Sequence, residues 1–227
     1  MNSYAPYSKV DEYCLIEGRS GLFYPGVRIE NIAFPLTISA IHSAITSCLA
    51  NGDQPISIFH DEPQSELADY WKREFDIEQR TTLPDAPSLY KPLLPSNIDI
   101  DATLEALTQK CVIPHSSFPV SALIETENGY IPGVNVEVSA WSLGLCAERT
   151  AISRAVTAGY TGKLGQLHIY APKGDFSSPC GACRQVMAEF IPRQQVVLHH
   201  GNQTISKHFV KDLLPYGFTG SSLRKKE

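Results

Sequence analysis

What this sequence lacks narrows its function before any motif is read. No apolar run approaches the roughly 18–20 residues that cross a bilayer as a helix, so no membrane-spanning segment is expected. The opening MNSYAPYSKVDEY has no basic region followed by an apolar one and does not read as a secretory leader. Basic charge is scarce. Nineteen Lys and Arg stand against 24 Asp and Glu, a net charge of −5 and the wrong sign for gripping a phosphate backbone. The one local exception, Arg224-Lys225-Lys226, reads as a solvated tail. Cysteines number six in 227 residues, and a chain of this length with 43% apolar residues needs no disulfide staples. These absences point to a reduced, cytoplasmic protein with neither nucleic acid nor membrane as a partner.

What is there, first of all, is a repeat. GVRIENIAFPLTISAIHSAI at 26–45 aligns with GVNVEVSAWSLGLCAERTAI at 133–152, with eight of twenty positions identical at a constant offset. Upstream, Pro6-Tyr7-Ser8 answers Pro114-His115-Ser116; downstream, Leu93-Leu94-Pro95 answers Leu213-Leu214-Pro215. Three ordered blocks read as two copies of one unit of about 110 residues, which sets expected domains at 1–97 and 98–227.

The second copy is the easier to read. DATLEALTQKCV (101–112) has helical spacing, with Asp101 as the expected N-cap. Two β-rich runs, FPVSALIET and YIPGVNVEV, flank Asn128-Gly129, a hairpin-turn pair. LCAERTAISRAVTAG reads as a helix closed by Gly159, 166–171 as a strand and 180–191 as a helix entered through Pro179. A strand at 196–200 and a last helix over 206–214 complete it. Helices alternating with strands predict an α/β layered domain. Only five residues precede Pro6, so the first copy is expected to lack the opening helix.

Three of the six cysteines fall in two short stretches, SAWSLGLCAERTAI (139–152) and SSPCGACRQ (177–185). Cys180 and Cys183 are one helical turn apart, so both sulfurs can meet one ion. A CxxC pair alone is also compatible with a redox couple or with two buried thiols. Cys146 shifts the balance, because it too stands at a predicted helix start, where the free N–H groups favour a thiolate. Three protein ligands with an open fourth position is the pattern of catalytic zinc, and bound zinc brings the pKa of water to about 7. Glu148 lies two residues after Cys146; helical periodicity alone places it about 200° away, so the first turn's geometry must decide where it points.

Cys-Ala-Glu-Arg followed by Pro-Cys-Gly-Ala-Cys-Arg-Gln resembles the zinc-dependent cytidine deaminase family, over residues 101–218. The resemblance implies two tandem three-layer α/β/α domains, each with a mixed central sheet, the first of them degenerate. It implies Zn²⁺ held by Cys146, Cys180 and Cys183, and Glu148 as the proton carrier in hydrolytic deamination of cytidine and deoxycytidine to uridine and deoxyuridine, a step of pyrimidine salvage. It further implies that Ala147 N–H contacts the pyrimidine O2 and that Arg149 is the outer-shell partner of the sulfurs. Asn135 and Glu137 correspond to the Asn-x-Glu that holds the ribose, and Phe118 to the phenylalanine that packs on the base. This sequence departs from the family at Ser121, where glycine is usual, at Val138, where many members have asparagine, and at Trp141, where tyrosine is common. The last two leave room for a modified cytosine nucleoside, such as a nucleoside antibiotic, as substrate. Nucleic-acid editing is opposed by the acidic charge and by the Asn-x-Glu.

The first copy carries Ser39 in place of Cys146, Ile41 in place of Glu148 and Arg28 in place of Asn135, and its stretch from 56 to 75 has no cysteine. One zinc per chain is therefore expected. Cys14, Cys48 and Cys111 read as buried structural thiols, His42 as an ordinary surface or core histidine, and His199-His200 as strand residues facing opposite ways. Single-unit members of the family resemble tetramers in which a late phenylalanine reaches a neighbour's pocket. Two copies per chain then imply a homodimer forming a pseudo-tetramer, with Phe218 of Leu213-Leu214-Pro215-Tyr216-Gly217-Phe218 as that residue.

Overall fold

Each half of the chain contains a hairpin that continues through a helix, a strand and a second helix into a parallel strand. The structure, a computed structural model, describes residues 3–59 and 66–220; the basic cluster at 224–226 lies outside them. In the first half, β1 (Tyr13–Gly18), β2 (Phe23–Val27), α1 (Ala40–Leu49), β3 (Pro55–Phe59), α2 (Glu66–Phe75) and β4 (Glu78–Gln79) give a sheet of order β2-β1-β3-β4. In the second, α3 (Ile100–Leu107) precedes β5 (Ser121–Thr126), β6 (Gly129–Val134), α4 (Ala147–Thr157), β7 (Leu164–Ala171), α5 (Gly181–Phe190), β8 (Gln195–His200), β9 (Ile205–Phe209) and α6 (Val210–Leu213). Its sheet order is β6-β5-β7-β8-β9. Both sheets are mixed: β3 with β4 and β7 with β8 are the parallel pairs, each joined through a helix, and the remaining pairs are antiparallel.

Alternation along β5 shows why the second half has three layers. Ala122 and Ile124 share a core with Ala147, Ala151 and Ala155 of α4, whereas Leu123 packs with Leu104 and Leu107 of α3 from the other face. The first half departs from this plan. Among the described residues, nothing helical precedes β1, and the face of that sheet turned from α1 holds only a small cluster of Leu15, Phe23 and Phe59. Three layers therefore hold for the second half, and among the described residues the first has no counterpart of α3.

Both halves dock their first long helix against a glycine. A Cβ on Gly133 would lie 2.2 Å from the Ala147 carbonyl oxygen and 2.4 Å from Ala151 N; one on Gly26 would lie 2.2 Å from the Ala40 oxygen and 2.5 Å from Ala44 N. Backbone cannot yield as a flexible side chain does, so Gly133→Ala must push α4 off the sheet. We expect a loss of about 3 kcal/mol and a melting temperature lower by roughly 6–12 °C, measurable by calorimetry.

The cores of the two halves interpenetrate. Val27, Ile29 and Ile38 belong to the second half's core, and one further cluster joins Ile41, Ile45 and Trp71 of the first half to Leu104, Leu123 and Val134 of the second. Between the halves α1 meets α4, with Ser43 Oγ 2.9 Å from Ser153 Oγ. Buried Arg154 donates to the Ser47 and Pro132 carbonyl oxygens at 2.6 and 2.8 Å.

Some local expectations shift. Helix α3 is capped by Asp99, whose side chain accepts from Ala102 N, and not by Asp101, which sits in its first turn. In the hairpin, Thr126 pairs with Gly129, so the two loop residues are Glu127 and Asn128, with Gly129 already in the strand at φ +138°. The expected last helix is mostly strand: Ile205–Phe209 pairs antiparallel with β8, and only Val210–Leu213 is helical. Gly159 does close α4, at φ +89°.

Candidate active site

Cys146 and Cys180 are the N-caps of α4 and α5, so two helix N-termini face one point. Cys183, one turn into α5, completes the group. The Sγ of Cys180 is 3.7 Å from that of Cys146 and 3.5 Å from that of Cys183, and all three sulfurs lie within 4.8 Å of one another. Zn–S bonds of about 2.3 Å in a tetrahedron separate neighbouring sulfurs by roughly 3.8 Å, so the donor set fits zinc in kind and in spacing. Hydrogen bonds from its two neighbours pull the Cys180 thiol well down, and the same sulfur–sulfur contacts push Cys146 and Cys183 up. Three thiolates this close need a cation among them.

Glu148 follows in the first turn of α4 and is 3% exposed. Burial pushes its carboxyl up to about 7, with the nearby Cys180 charge adding to the rise and Arg149 opposing it. Arg149 is also buried. One guanidinium nitrogen donates to the Leu36 carbonyl oxygen at 3.1 Å, and its Nε has no partner. An unpaired cationic donor one turn from Cys146 suits a site built to hold thiolates.

A cavity of about 190 Å³ opens onto Cys146, lined by Asn135, Val136, Glu137, Trp141, Gly144 and Leu145. Glu137 Oε2 accepts from His115 N at 2.9 Å and Ser116 N at 3.1 Å, and with the Ser116 side chain these bonds depress its pKa despite partial burial. Asn135 holds the neighbouring loop, accepting from Val120 N and donating to the Phe118 carbonyl oxygen, both at 2.9 Å. Ala147 is fully buried beside Cys146.

Phe118 stands apart from this cavity, 39% exposed with its ring tip towards Gly174, which excludes plain core packing. Phe218 also stands apart, half exposed in a small crevice with Tyr4, Tyr7 and Glu189. Of the departures from the family, Trp141 lines the cavity at 67% exposure, whereas Val138 is buried in the core and does not. Ser121 is fully buried and donates to the Leu104 carbonyl oxygen at 2.7 Å, tying β5 to α3.

The comparable places in the first half hold no such chemistry. Ser39 caps α1 through His42 N, and Ile41 is buried. Glu30 does match Glu137 in one respect: its Oε2 accepts from Tyr7 N and Ser8 N. Cys14 and Cys48 are fully buried; Cys111 is only partly so, and its Sγ donates to the Val120 carbonyl oxygen. His199 and His200 do face different partners. His199 Nδ1 lies 2.6 Å from Asp101 and its Nε2 3.1 Å from His168, whereas His200 Nδ1 accepts from Ser177 N.

Residues 100–199, which contain all three cysteines and Glu148, match the family model for the cytidine and deoxycytidylate deaminase zinc-binding region. The chain is 40% identical over 117 residues to a cytidine deaminase of Sporosarcina psychrophila, covering 51% of this chain and 85% of that one. The chain belongs to the zinc-dependent cytidine deaminase family. It is also 35% identical over 120 residues to a cytidine deaminase of Mycoplasma genitalium, covering 92% of that protein. The crystal structure of a Burkholderia pseudomallei cytidine deaminase aligns over 53% of this chain and 100% of its own, with 35% identity and a TM-score of 0.50. The relatives thus match about half of this chain.

Sequence reasoning missed the residues of the first half that touch the second half's site. Glu74 and Tyr70 of α2 bond to Ser139 and Ala140, and His42 to Leu143. A signal was present: Glu74-Phe75 corresponds to Glu189-Phe190 once the offset between copies is allowed to grow.

Proposed function

We propose that this chain hydrolyses the C4 amino group of cytidine and deoxycytidine, releasing ammonia and leaving uridine and deoxyuridine. The convergence of the Cys146, Cys180 and Cys183 sulfurs beside a buried Glu148 carries this reading. Zinc, held by those three sulfurs, supplies Lewis-acid activation of a water when bound. The chain's own residues do the rest. Glu148 takes the proton of the attacking water, delivers one to ring N3 and assists the departing amine. Arg149 offsets the charge of three thiolates, and Ala147 N–H meets the pyrimidine O2. Glu137 offers its carboxylate, and Asn135 its remaining amide N–H, to the ribose hydroxyls. Phe118, its carbonyl held by Asn135, faces the base from the adjoining loop. The substrate is a free nucleoside in pyrimidine salvage.

Side-by-side ammonia release from cytidine, deoxycytidine and single-stranded DNA tests this. Turnover of both nucleosides and none of the DNA is expected. A zinc-loaded protein that releases no ammonia from either nucleoside would refute the reading.

The repeated element order and the matching Gly26 and Gly133 contacts support an internal duplication, with a degenerate unit at 1–97 and a catalytic unit at 98–227. One zinc per chain follows. All six cysteines are free, which supports a reducing, cytoplasmic location, and no helix among the described residues is long and apolar enough to cross a membrane.

Assembly follows from exposed aromatics. Phe34 and Trp141, at corresponding positions, are 83% and 67% exposed. We expect a homodimer of about 50 kDa, twice the 25.0 kDa chain, in which a partner's Phe218 completes the cavity. Light scattering checks the mass, and Phe218→Ala should raise KM by roughly 10-fold through lost stacking on the base. A fully active monomer, or an unchanged KM, would overturn it.

A further inference from the structure

The wall of the Cys146 cavity is held from outside the catalytic half. Residues 139–144 run from buried Val138 to Leu145, pass through the 3-10 turn Trp141–Leu143, and deliver the chain to Cys146. The first half grips this stretch at three points. Glu74 accepts from Ser139 N at 2.9 Å and from Ser139 Oγ at 2.5 Å. Tyr70 Oη accepts from Ala140 N at 3.1 Å, and His42 Nε2 donates to the Leu143 carbonyl oxygen at 2.7 Å. Two of the gripping residues are themselves fixed: His42 and Tyr70 both pack on fully buried Trp71, with ring centroids 5.2 and 5.0 Å from it. Between the grips, the Trp141 ring meets the His115 ring edge-on at 6.0 Å. Without Glu74 and Tyr70, the N–H groups of Ser139 and Ala140 would lose their acceptors and turn to water.

We propose that the first half is a positioning element for the second, in which Glu74, Tyr70 and His42 set Trp141 and Cys146 for the substrate. The proposal rests on the deaminase reading above. It gives the half without catalytic groups a part in the reaction. Stabilisation by the interface alone does not require that part, and the molecule contains its own control. Glu189 of α5 makes the mirror-image contact, accepting from Ile32 N at 2.8 Å and from the Tyr4 and Tyr7 hydroxyls. Arg149 on the Leu36 carbonyl oxygen likewise mirrors His42 on that of Leu143. The stretch that Glu189 holds leads to Ser39, which ligates nothing, and it meets the second half's site through the Leu36 carbonyl oxygen, four residues past the Ile32 grip, to which Arg149 donates.

The test compares Glu74→Ala with Glu189→Ala in the full-length, zinc-loaded protein. Each variant's zinc content, melting temperature, kcat and KM for cytidine, and amide hydrogen exchange over 139–144 are measured. Glu74→Ala should lower kcat/KM by roughly 10- to 100-fold through misplacement of the cavity wall, at full zinc content. Its amides at 139–144 should exchange faster. Glu189→Ala should lower the melting temperature comparably while keeping kcat/KM within about threefold of wild type. Glu74→Gln keeps an acceptor for Ser139 N, so it should recover most of the loss, and it serves if the alanine variant fails to fold. Equal losses of kcat/KM in the two alanine variants would reduce the clamp to interface stabilisation and overturn the proposal. So would unchanged exchange at 139–144 in Glu74→Ala. A wild-type protein that releases no ammonia from cytidine defeats the deaminase reading instead; the clamp is then judged on exchange, and equal exchange in the two variants overturns it.

Discussion

Glu148→Ala should keep its zinc and its fold and lose about 10⁴-fold or more in kcat. One acid–base group typically supplies 10²–10⁴-fold, and the carboxylate proposed here serves successive transfers to and from water, ring nitrogen and amine. Nothing nearby can substitute. The carboxylate that lines the Cys146 cavity is Glu137, whose Oε2 is committed to His115 N and Ser116 N. Stability should hold or rise, because the substitution removes a carboxyl that is 3% exposed and pushed up to about 7 by its burial. Alanine is also the better helix former in the first turn of α4. Steady-state kinetics, elemental analysis and a thermal melt on one preparation check all three points. Retention of more than about a tenth of kcat would show that another group carries the protons.

The legible parts of this molecule are those that local chemistry dictates. Cys146 and Cys180 could be placed at helix starts because Pro179 precedes one helix and a run of Ala and Arg follows the other. Gly159 marked the end of α4 because a left-handed residue is needed there. Ambiguous patterns were misread in proportion to their ambiguity. ISKHF looked like the start of a helix, yet its alternating exposure belongs to an edge strand, fixed by pairing with β8 rather than by its own residues. Asp99 and Asp101 are both good caps, and which one starts α3 depends on where Ile100 packs. Least legible was the joining of the halves. Between the α1–α4 alignment and the α2–α5 alignment the offset grows from 107 to 115, so Glu74 and Glu189 fall out of register in any fixed alignment. Glu148 lies between these extremes. Its position in the motif was plain, but its near-complete burial beside the sulfurs depends on how α4 packs against Gly133.

Cys180→Ala should abolish both metal and turnover, and comparing it with Cys180→Ser separates two jobs of one sulfur. As a ligand, Cys180 sits between the other two sulfurs, at 3.7 and 3.5 Å, and its loss leaves only Cys146 and Cys183. As an N-cap, the same atom accepts from Cys183 N at 3.5 Å. A metal bound only by the folded chain stabilises it by about 4 kcal/mol at a thousandfold excess over its Kd. A lost N-cap costs about 1 kcal/mol more. Serine keeps the cap but is a poor zinc ligand beside two thiolates, so Cys180→Ser should melt where chelator-treated wild type melts. Cys180→Ala should melt a further 2–4 °C or so below it. Elemental analysis should find one zinc per chain in the wild type and essentially none in either variant, because Ser39 and Ile41 leave the first half without ligands. Two zincs in the wild type would mean a second set of ligands outside this cluster. A Cys180→Ser protein that kept its zinc and its activity would show that these three sulfurs are not the metal site.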